Sequence, residues 1–314
     1  MAEQGVYVGV DVSKDRLDVA LWPGDEFFSV PNDARGVRSL VQRLKHMSCR
    51  RLVLEATGGY ELRLTAALCA ERLPLVVANP GRVRSFAHGL GQLAKSDRLD
   101  ARALARYAAN PELKVRQLPD AETRTLRELC ARRDELVEML VAEQNRLEHA
   151  SAALRREING HIDFLRKRIK RADHDIDQAV KRSAVWREQS ELLRSVPGVG
   201  KVLCTSLLAR LPELGRLNRR EIASLVGVAP LTHQSGKTRR HESIGAGRPV
   251  LRRTLYMSAL CGIRRNPVLR DQYQRLRAAG KPGKVALVAA MRKLIVILNA
   301  MIKNQTPWRS SCVA

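Results

Sequence analysis

Four acidic residues could converge on one site, and two of them stand where a carboxylate is costly unless a cation is near. Asp11 interrupts the β-branched run VYVGVDV, and Glu55 closes a second apolar run, RLVLEAT. A charge on an apolar strand loses hydration and needs a compensating partner. Asp97 and Asp100, in KSDRLDARALARYA, are three residues apart, a spacing that puts both on one face of a helix. Functional side chains in an α/β sheet gather at strand C-terminal ends, so Asp11 and Glu55 are placed to converge. Four convergent carboxylates repel one another unless they surround hard cations. Mg²⁺ takes oxygen ligands in octahedral geometry and keeps waters for a phosphate substrate. Two such ions about 4 Å apart activate an attacking oxygen and stabilise a departing one in phosphodiester cleavage. Singly, three of the four have a plainer reading: Asp11 as a turn former, Asp97 and Asp100 as a helix N-cap and a first-turn acid. Asp15 and Asp18 lie close to Asp11, but strand alternation reads them as solvent-facing.

A second centre is the stretch THQSGKTRRHESIG, where Ser235 is followed by Lys237, Arg239 and Arg240. A serine hydroxyl with an ordinary pKa is a weak nucleophile. Surrounding cations would stabilise negative charge developing on an attacked phosphodiester. His233 and His241 are candidate bases, and Ser243 is a rival serine on residue chemistry alone. A phosphate-gripping loop accounts for the same residues without catalysis.

These residues need elements to hold them. VYVGVDV and RLDVALW read as strands joined by the turn SKD, and EFFSVPN as a third strand. A helix follows from Asp33, a good N-cap, to about His46. Strand RLVLEAT, helix Tyr60 to Leu73, and strand PLVVANP complete a β–α–β step, giving an α/β domain with a mixed sheet. From Asp120 to about Leu193 the chain is charge-dense, with apolar residues at helical spacing (Leu126, Leu129, Leu136, Leu140, Leu147, Leu154). That pattern predicts long helices, a helical hairpin or coiled coil broken near Asn159-Gly160. SVPGVGKVLCTSLLARL places a glycine-rich turn between two apolar helical segments, as in a helix–hairpin–helix. Such a turn lets backbone amides, here around Gly198, Gly200 and Lys201, approach a phosphate. Helix RREIASLVGVA, a polar loop and further helices, the first carrying Arg252 and Arg253, finish the chain.

Composition narrows the partners. Lys and Arg number 56 against 32 Asp and Glu, a net charge of +24 over 314 residues. From Ser235 onward 17 basic residues face two acidic ones, so a polyanion surface belongs in the last quarter of the chain. Aromatics are only 4%, which argues against binding mainly by base stacking. Six scattered cysteines show neither zinc nor disulfide spacing. The N-terminus lacks signal-peptide character, and the C-terminal run LIVILNAMI is too short to span a bilayer. A cytoplasmic protein without membrane attachment, nucleoid-associated when acting, is expected.

The order Asp on strand one, Glu on a later strand and paired Asp on a helix resembles the ribonuclease H-like fold of RuvC-type junction resolvases. More broadly, GVDVSKDRLDVAL, LEATGGYE, KSDRLDARALARY, SVPGVGKVLCTSLLA and GVAPLTHQSGKTRR followed by RRTLYMSAL resemble the DEDD-type transposases of bacterial insertion sequences (the IS-one-ten family), also described as bridge-RNA-guided serine recombinases. The resemblance implies a RuvC-like α/β DEDD domain over 1–115, a helical coiled-coil middle over 116–193 and a mostly α transposase domain over 194–314. It implies that Asp11, Glu55, Asp97 and Asp100 hold Mg²⁺, two ions in all, beside Ser235 as a nucleophile that links covalently to DNA. It also implies donor and target DNA, a bridging non-coding RNA, and a homodimer that assembles to a homotetramer with composite sites. Gly198, Gly200, Lys201, Lys237, Arg239, Arg240, Arg252 and Arg253 are the expected nucleic-acid contacts. A metal-dependent junction nuclease that never uses Ser235, and a non-catalytic nucleic-acid scaffold, are the competing readings.

Overall fold

The computed structural model describes residues 5–94, 96–113, 120–231, 234–235, 238–239 and 243–309, with the backbone alone at 234–235 and 238–239. The chain divides into two compact units, Met1–Leu118 and Pro119–Ala314.

In the first unit β1 (Val6–Val12), β2 (Arg16–Trp22) and β3 (Phe27–Pro31) form an antiparallel meander. Helix α1 (Ala34–Lys45) follows, started by Asp33, whose carboxylate accepts from the Arg35 and Gly36 amides at 2.9 and 2.8 Å. β4 (Cys49–Glu55) then pairs parallel with β1. Helix α2 (Leu62–Ala70) leads to β5 (Leu75–Ala78), parallel to β4, and α3 (Pro80–Gly89) and α4 (Asp97–Ala108) complete the unit. The sheet order is β3-β2-β1-β4-β5, the mixed sheet the sequence predicts.

Alternation divides the side chains between two faces. Val8, Val10, Leu17, Val19, Leu52 and Leu54 pack with Leu40 and Leu44 of α1 and Leu64 and Leu68 of α2. The other face meets α4, through Ala20 against Ala101 and Ala105 and Val53 against Leu104. Full burial of each large aliphatic side chain contributes about 1.5–3 kcal/mol. Gly9 sets how close α4 comes: a Cβ there would lie 2.2 Å from the Ala105 nitrogen and 2.3 Å from the Ala101 oxygen. Only a residue without a side chain lets the helix backbone rest on β1.

In the second unit α5 (Ala121–His149) and α6 (Ala152–Arg182) form an antiparallel hairpin, with Leu136 packed against Leu165 and Ala172, and Arg133 bonded to Asp173 at 2.6 Å. The break falls at Ala150–Ser151, not near Asn159-Gly160. Gly160 sits inside α6 with open space around it, so nothing there requires a turn. Helices α7 (Ala184–Arg194), α8 (Lys201–Arg210), α9 (Arg219–Val226), α10 (Pro249–Arg265), α11 (Pro267–Ala278) and α12 (Gly283–Asn304) surround one core that includes Leu126, Leu193, Leu207, Ile222, Leu255 and Leu298. Between α9 and α10, where the sequence reads only as a polar loop, two nested antiparallel pairs form. β6 (Pro230–Leu231) joins β9 (Ser243–Ile244), and β7 (Gln234–Ser235) joins β8 (Thr238–Arg239). Two-residue strands are too short to leave a period in the sequence.

The apolar C-terminal segment is longer than the run LIVILNAMI suggests. α12 is long and apolar enough to cross a membrane by length and composition, yet about half of it is buried. Leu287, Met291, Leu294, Ile295 and Leu298 lie in the core of the second unit, so α12 serves as its central helix.

Candidate active site

Strand parity and helix placement together put the carboxylates on one face. Asp11 follows Gly9 by two residues and Glu55 follows Val53 by two, so both point to the side of the sheet that α4 covers. β1 and β4 are parallel with Val10 opposite Leu54, which makes Asp11 and Glu55 the next residues on adjacent strands. α4 lays its middle on Gly9, and its first turn brings Asp97 and Asp100 toward Asp11. Ser96, not Asp97, caps this helix, its hydroxyl accepting from the Leu99 amide at 3.3 Å. Both acids therefore occupy the first turn of the helix.

The consequence appears at Asp11. Burial, then the like charges of Asp100, Asp97 and Asp18, push its pKa up to about 6. Asp11 is half-buried, Glu55 and Asp100 are partly covered, and Asp97 is exposed. Among the described residues no three carboxylate, histidine or cysteine side chains stand close enough to share one ion. The donor set is nonetheless all oxygen, which suits a hard divalent cation, and a cation there would offset the burial and the like charges that raise the Asp11 pKa.

Asp18 departs from expectation: it is buried at 2% exposure, not solvent-facing. It lies opposite Asp11 in the β1–β2 register and points to the same face. Ser29 of β3 donates its hydroxyl to one Asp18 oxygen, and Arg16 Nε donates to the other at 3.0 Å. Arg16 Nη2 reaches Asp97 Oδ2, also at 3.0 Å. Asp15 is exposed, as read. Sequence alternation cannot reveal a strand buried on both sides, which is how Asp18, and with it the role of its partner Arg16, escapes it.

Two loops at the strand ends are tied together. Glu61 accepts from the Thr57 and Gly59 amides at 3.1 and 2.8 Å, folding the turn that follows Glu55. Asn32 donates to Ser13 O at 2.8 Å and to Tyr60 O at 3.2 Å, linking the β1–β2 turn to it.

In the second unit Ser235 ends β7 and pairs with Thr238, so it sits at the inner tier of the nested strands, while Ser243 stands on the outer one. His233, Lys237, Arg240 and His241 lie outside the described residues. The base of this segment is held by Arg248, whose guanidinium forks onto Glu213 at 2.7 and 2.8 Å and also donates to Arg210 O at 2.6 Å. Arg252 donates to Ala246 O at 2.7 Å and braces the turn before α10, whereas exposed Arg253 pairs with Glu138 at 3.1 Å. Gly198 has φ +98°, and a Cβ on it would lie 2.6 Å from Gly262 Cα, so close packing on α10 already requires glycine there. Gly200 is exposed at the start of α8, and Lys201 is paired with Asp177. Gly200, Lys201 and Arg253 help line a cavity of about 480 Å³ between α5, α8 and α10.

Cys49, Cys69, Cys130, Cys204 and Cys261 are all unbridged, and burial raises the thiol pKa of Cys49 and Cys130 to about 11.

Residues 8–153 match a model described as a transposase, of the DEDD IS110 type, and residues 190–274 match one described as the transposase IS116/IS110/IS902 family. The chain is 28% identical over 315 residues to a pilin gene-inverting protein of Moraxella bovis, covering 96% of this chain and 97% of that protein. It is 24% identical over 283 residues to the transposase for insertion sequence element IS1111A of Coxiella burnetii, covering 79% and 75%. Over 124 residues it is 33% identical to the uncharacterized 43.6 kDa protein of insertion element IS110 from Streptomyces coelicolor, covering 38% and 30%.

Proposed function

Because the chain belongs to the IS110 family of transposases, DNA-acting recombination enzymes, we propose that it cuts and rejoins DNA strands through the carboxylate face of the first unit and Ser235 of the second. The observation that carries this reading is that Asp11 and Glu55 lie on the sheet face that α4 covers while the first turn of α4 carries Asp97 and Asp100, with the pKa of Asp11 raised by burial and then by its acidic neighbours. The sheet order β3-β2-β1-β4-β5 supports a ribonuclease H-like, RuvC-type domain, in which carboxylates at these positions serve phosphodiester chemistry.

Asp11, Glu55, Asp97 and Asp100 would hold the Mg²⁺ ions. When bound, such ions neutralise the phosphate and stabilise charge on the departing oxygen. Ser235 Oγ forms a bond to phosphorus, its proton passes to a base, and the bond to the departing sugar oxygen breaks with that oxygen taking up a proton. The phosphoserine ester keeps the energy of the cut bond, so attack by another sugar hydroxyl rejoins strands and frees the serine. The basic excess beyond Ser235 supports backbone binding of donor and target DNA. It equally suits a bridging non-coding RNA that leaves sequence reading to base pairing. A homodimer assembling to a homotetramer would supply the carboxylates and the serine from different copies. Gly198, Gly200, Lys201, Arg252 and Arg253, with Lys237, Arg239 and Arg240, remain the proposed backbone contacts, although Gly198 and Arg252 also have the packing roles described above. The enzyme is expected to act in the cytoplasm, on the nucleoid.

Trapping protein on cleaved DNA tests this. Wild type should give a covalent protein–DNA species that Ser235→Ala abolishes, while Asp11→Asn loses cleavage and keeps DNA binding. Hydrolysed ends without a covalent species would assign the chain instead to metal-dependent nucleases. Cleavage by Asp11→Asn at the wild-type rate would remove the carboxylates from the chemistry.

A further inference from the structure

Among the described residues, Arg16 is a cation paired with a carboxylate of the proposed site, and its placement is built from beneath. Its Nε bonds to Asp18, which is 3% exposed at the side chain, while Arg16 itself is 53% exposed. A buried carboxylate is strongly destabilising unless it is paired and hydrogen-bonded. Ser29 and Arg16 together satisfy Asp18, so the buried acid fixes the inner edge of the guanidinium on the sheet. The outer edge reaches Asp97 at 3.0 Å, in the first turn of α4. Arg16, Asp18 and Asp11 all lie on the α4 side of the sheet, at the end where Asp97 and Asp100 arrive. The planar fork of arginine makes such a two-carboxylate bridge, which the point charge of lysine cannot reproduce.

We infer that Arg16, anchored by Asp18, is a positioning residue for the carboxylate site: it holds Asp97 in place before the site is loaded and competes with the divalent cation for Asp97. The inference rests on the metal-dependent reading proposed above. It adds two residues that the four-carboxylate site leaves out, and it explains why an acid is buried one strand away from Asp11. Arg16 pairs with Asp18 and Asp97, two of the carboxylates whose like charge raises the Asp11 pKa, and its contact to Asp97 links β2 to the first turn of α4. A cation on the Asp97 oxygen would replace the outer contact of the guanidinium and leave the inner one on Asp18.

Competition has a signature that a merely structural ion pair lacks. Removing Arg16 should tighten metal binding while impairing the chemistry. Mn²⁺ binding to the full-length protein, followed by electron paramagnetic resonance or calorimetry, is compared for wild type, Asp11→Asn, Arg16→Gln and Arg16→Lys. Arg16→Gln should bind Mn²⁺ about two- to fivefold more tightly, the range set by losing one partly exposed ion pair. Its DNA cleavage at saturating Mn²⁺ should slow by about tenfold or more, as expected when a ligand is left unpositioned. Arg16→Lys keeps the charge without the bridge, so it should hold near wild-type affinity and still cleave slowly. Unchanged or weaker Mn²⁺ binding by Arg16→Gln, with Asp11→Asn clearly impaired, would overturn the inference and leave the carboxylate site standing. Full rescue of cleavage by Arg16→Lys would overturn it too, since charge alone would then suffice. Wild type and Asp11→Asn binding Mn²⁺ alike would remove the metal site itself, and the inference with it.

Discussion

Asp11 carries a charge at pH 7 that its surroundings resist. Its folded-state pKa, about 6, lies above the ordinary value of 3.8, first through burial and then through Asp100, Asp97 and Asp18. Between these two values the native state keeps a proton that the unfolded chain has lost, so stability contributed below about pH 4 is lost as pH rises through 6. Asp11→Asn should therefore be more stable than wild type at pH 7 without divalent ions, by about 1–2 kcal/mol after allowing for solvent around a half-buried group. At pH 4 the two proteins should melt together. Equal melting at pH 7 would mean that Asp11 is not under electrostatic strain. The residues that strain it divide by legibility. Asp97 and Asp100 are readable from their spacing, because i and i+3 share a helix face. Asp18 is not, because burial of β2 on both faces hides behind a pattern that looks like simple alternation, and exposed Arg16 is recognised only as its partner.

Elements place these residues through a few contacts that tolerate no side chain. At Gly9 even a methyl group would strike the α4 backbone at 2.2 Å, so Gly9→Ala must push the helix off β1. That overpacking should cost about 1–3 kcal/mol in a urea melt. It should also lower cleavage well beyond the loss of folded protein, because the first turn of α4 carries Asp97 and Asp100. A melt equal to wild type would show that α4 does not rest where Gly9 puts it. In the second unit Gly198→Ala meets both a φ of +98° and a contact at 2.6 Å with Gly262, and should be destabilising by at least about 1–2 kcal/mol. Long periodic elements such as β1, β4 and α4 are legible because one buried face repeats over several turns or residues. The α5–α6 break is not, since Ala150-Ser151 carries no strong breaker, whereas Gly160 looks like one and lies inside a helix. The nested pairs β6–β9 and β7–β8 are equally hidden, because main-chain pairing alone defines them.

Across the whole molecule charge is unevenly shared. Residues 1–118 hold 18 Lys and Arg against 13 Asp and Glu, while the chain from Ser235 holds 17 against two. Two jobs are thereby separated: a nearly balanced unit can gather carboxylates around cations, and a strongly basic segment can hold a polyanion without quenching them. Nucleic-acid affinity should then fall steeply with salt, each neutralised phosphate adding about −0.9 to the slope of log K against log salt on duplex DNA. Arg264 and Arg265, exposed in the last turn of α10, offer a probe that leaves the residues proposed for the chemistry unchanged. Replacing both with Ala should weaken binding uniformly across DNA sequences and make the slope shallower by about 1–2. Asp11→Asn should leave the slope unchanged, since the role proposed for Asp11 is to meet cations and not phosphates directly. A slope insensitive to the double substitution would place the polyanion surface elsewhere on the chain. A slope that changed with Asp11→Asn would mean that the carboxylate unit is itself part of the binding surface.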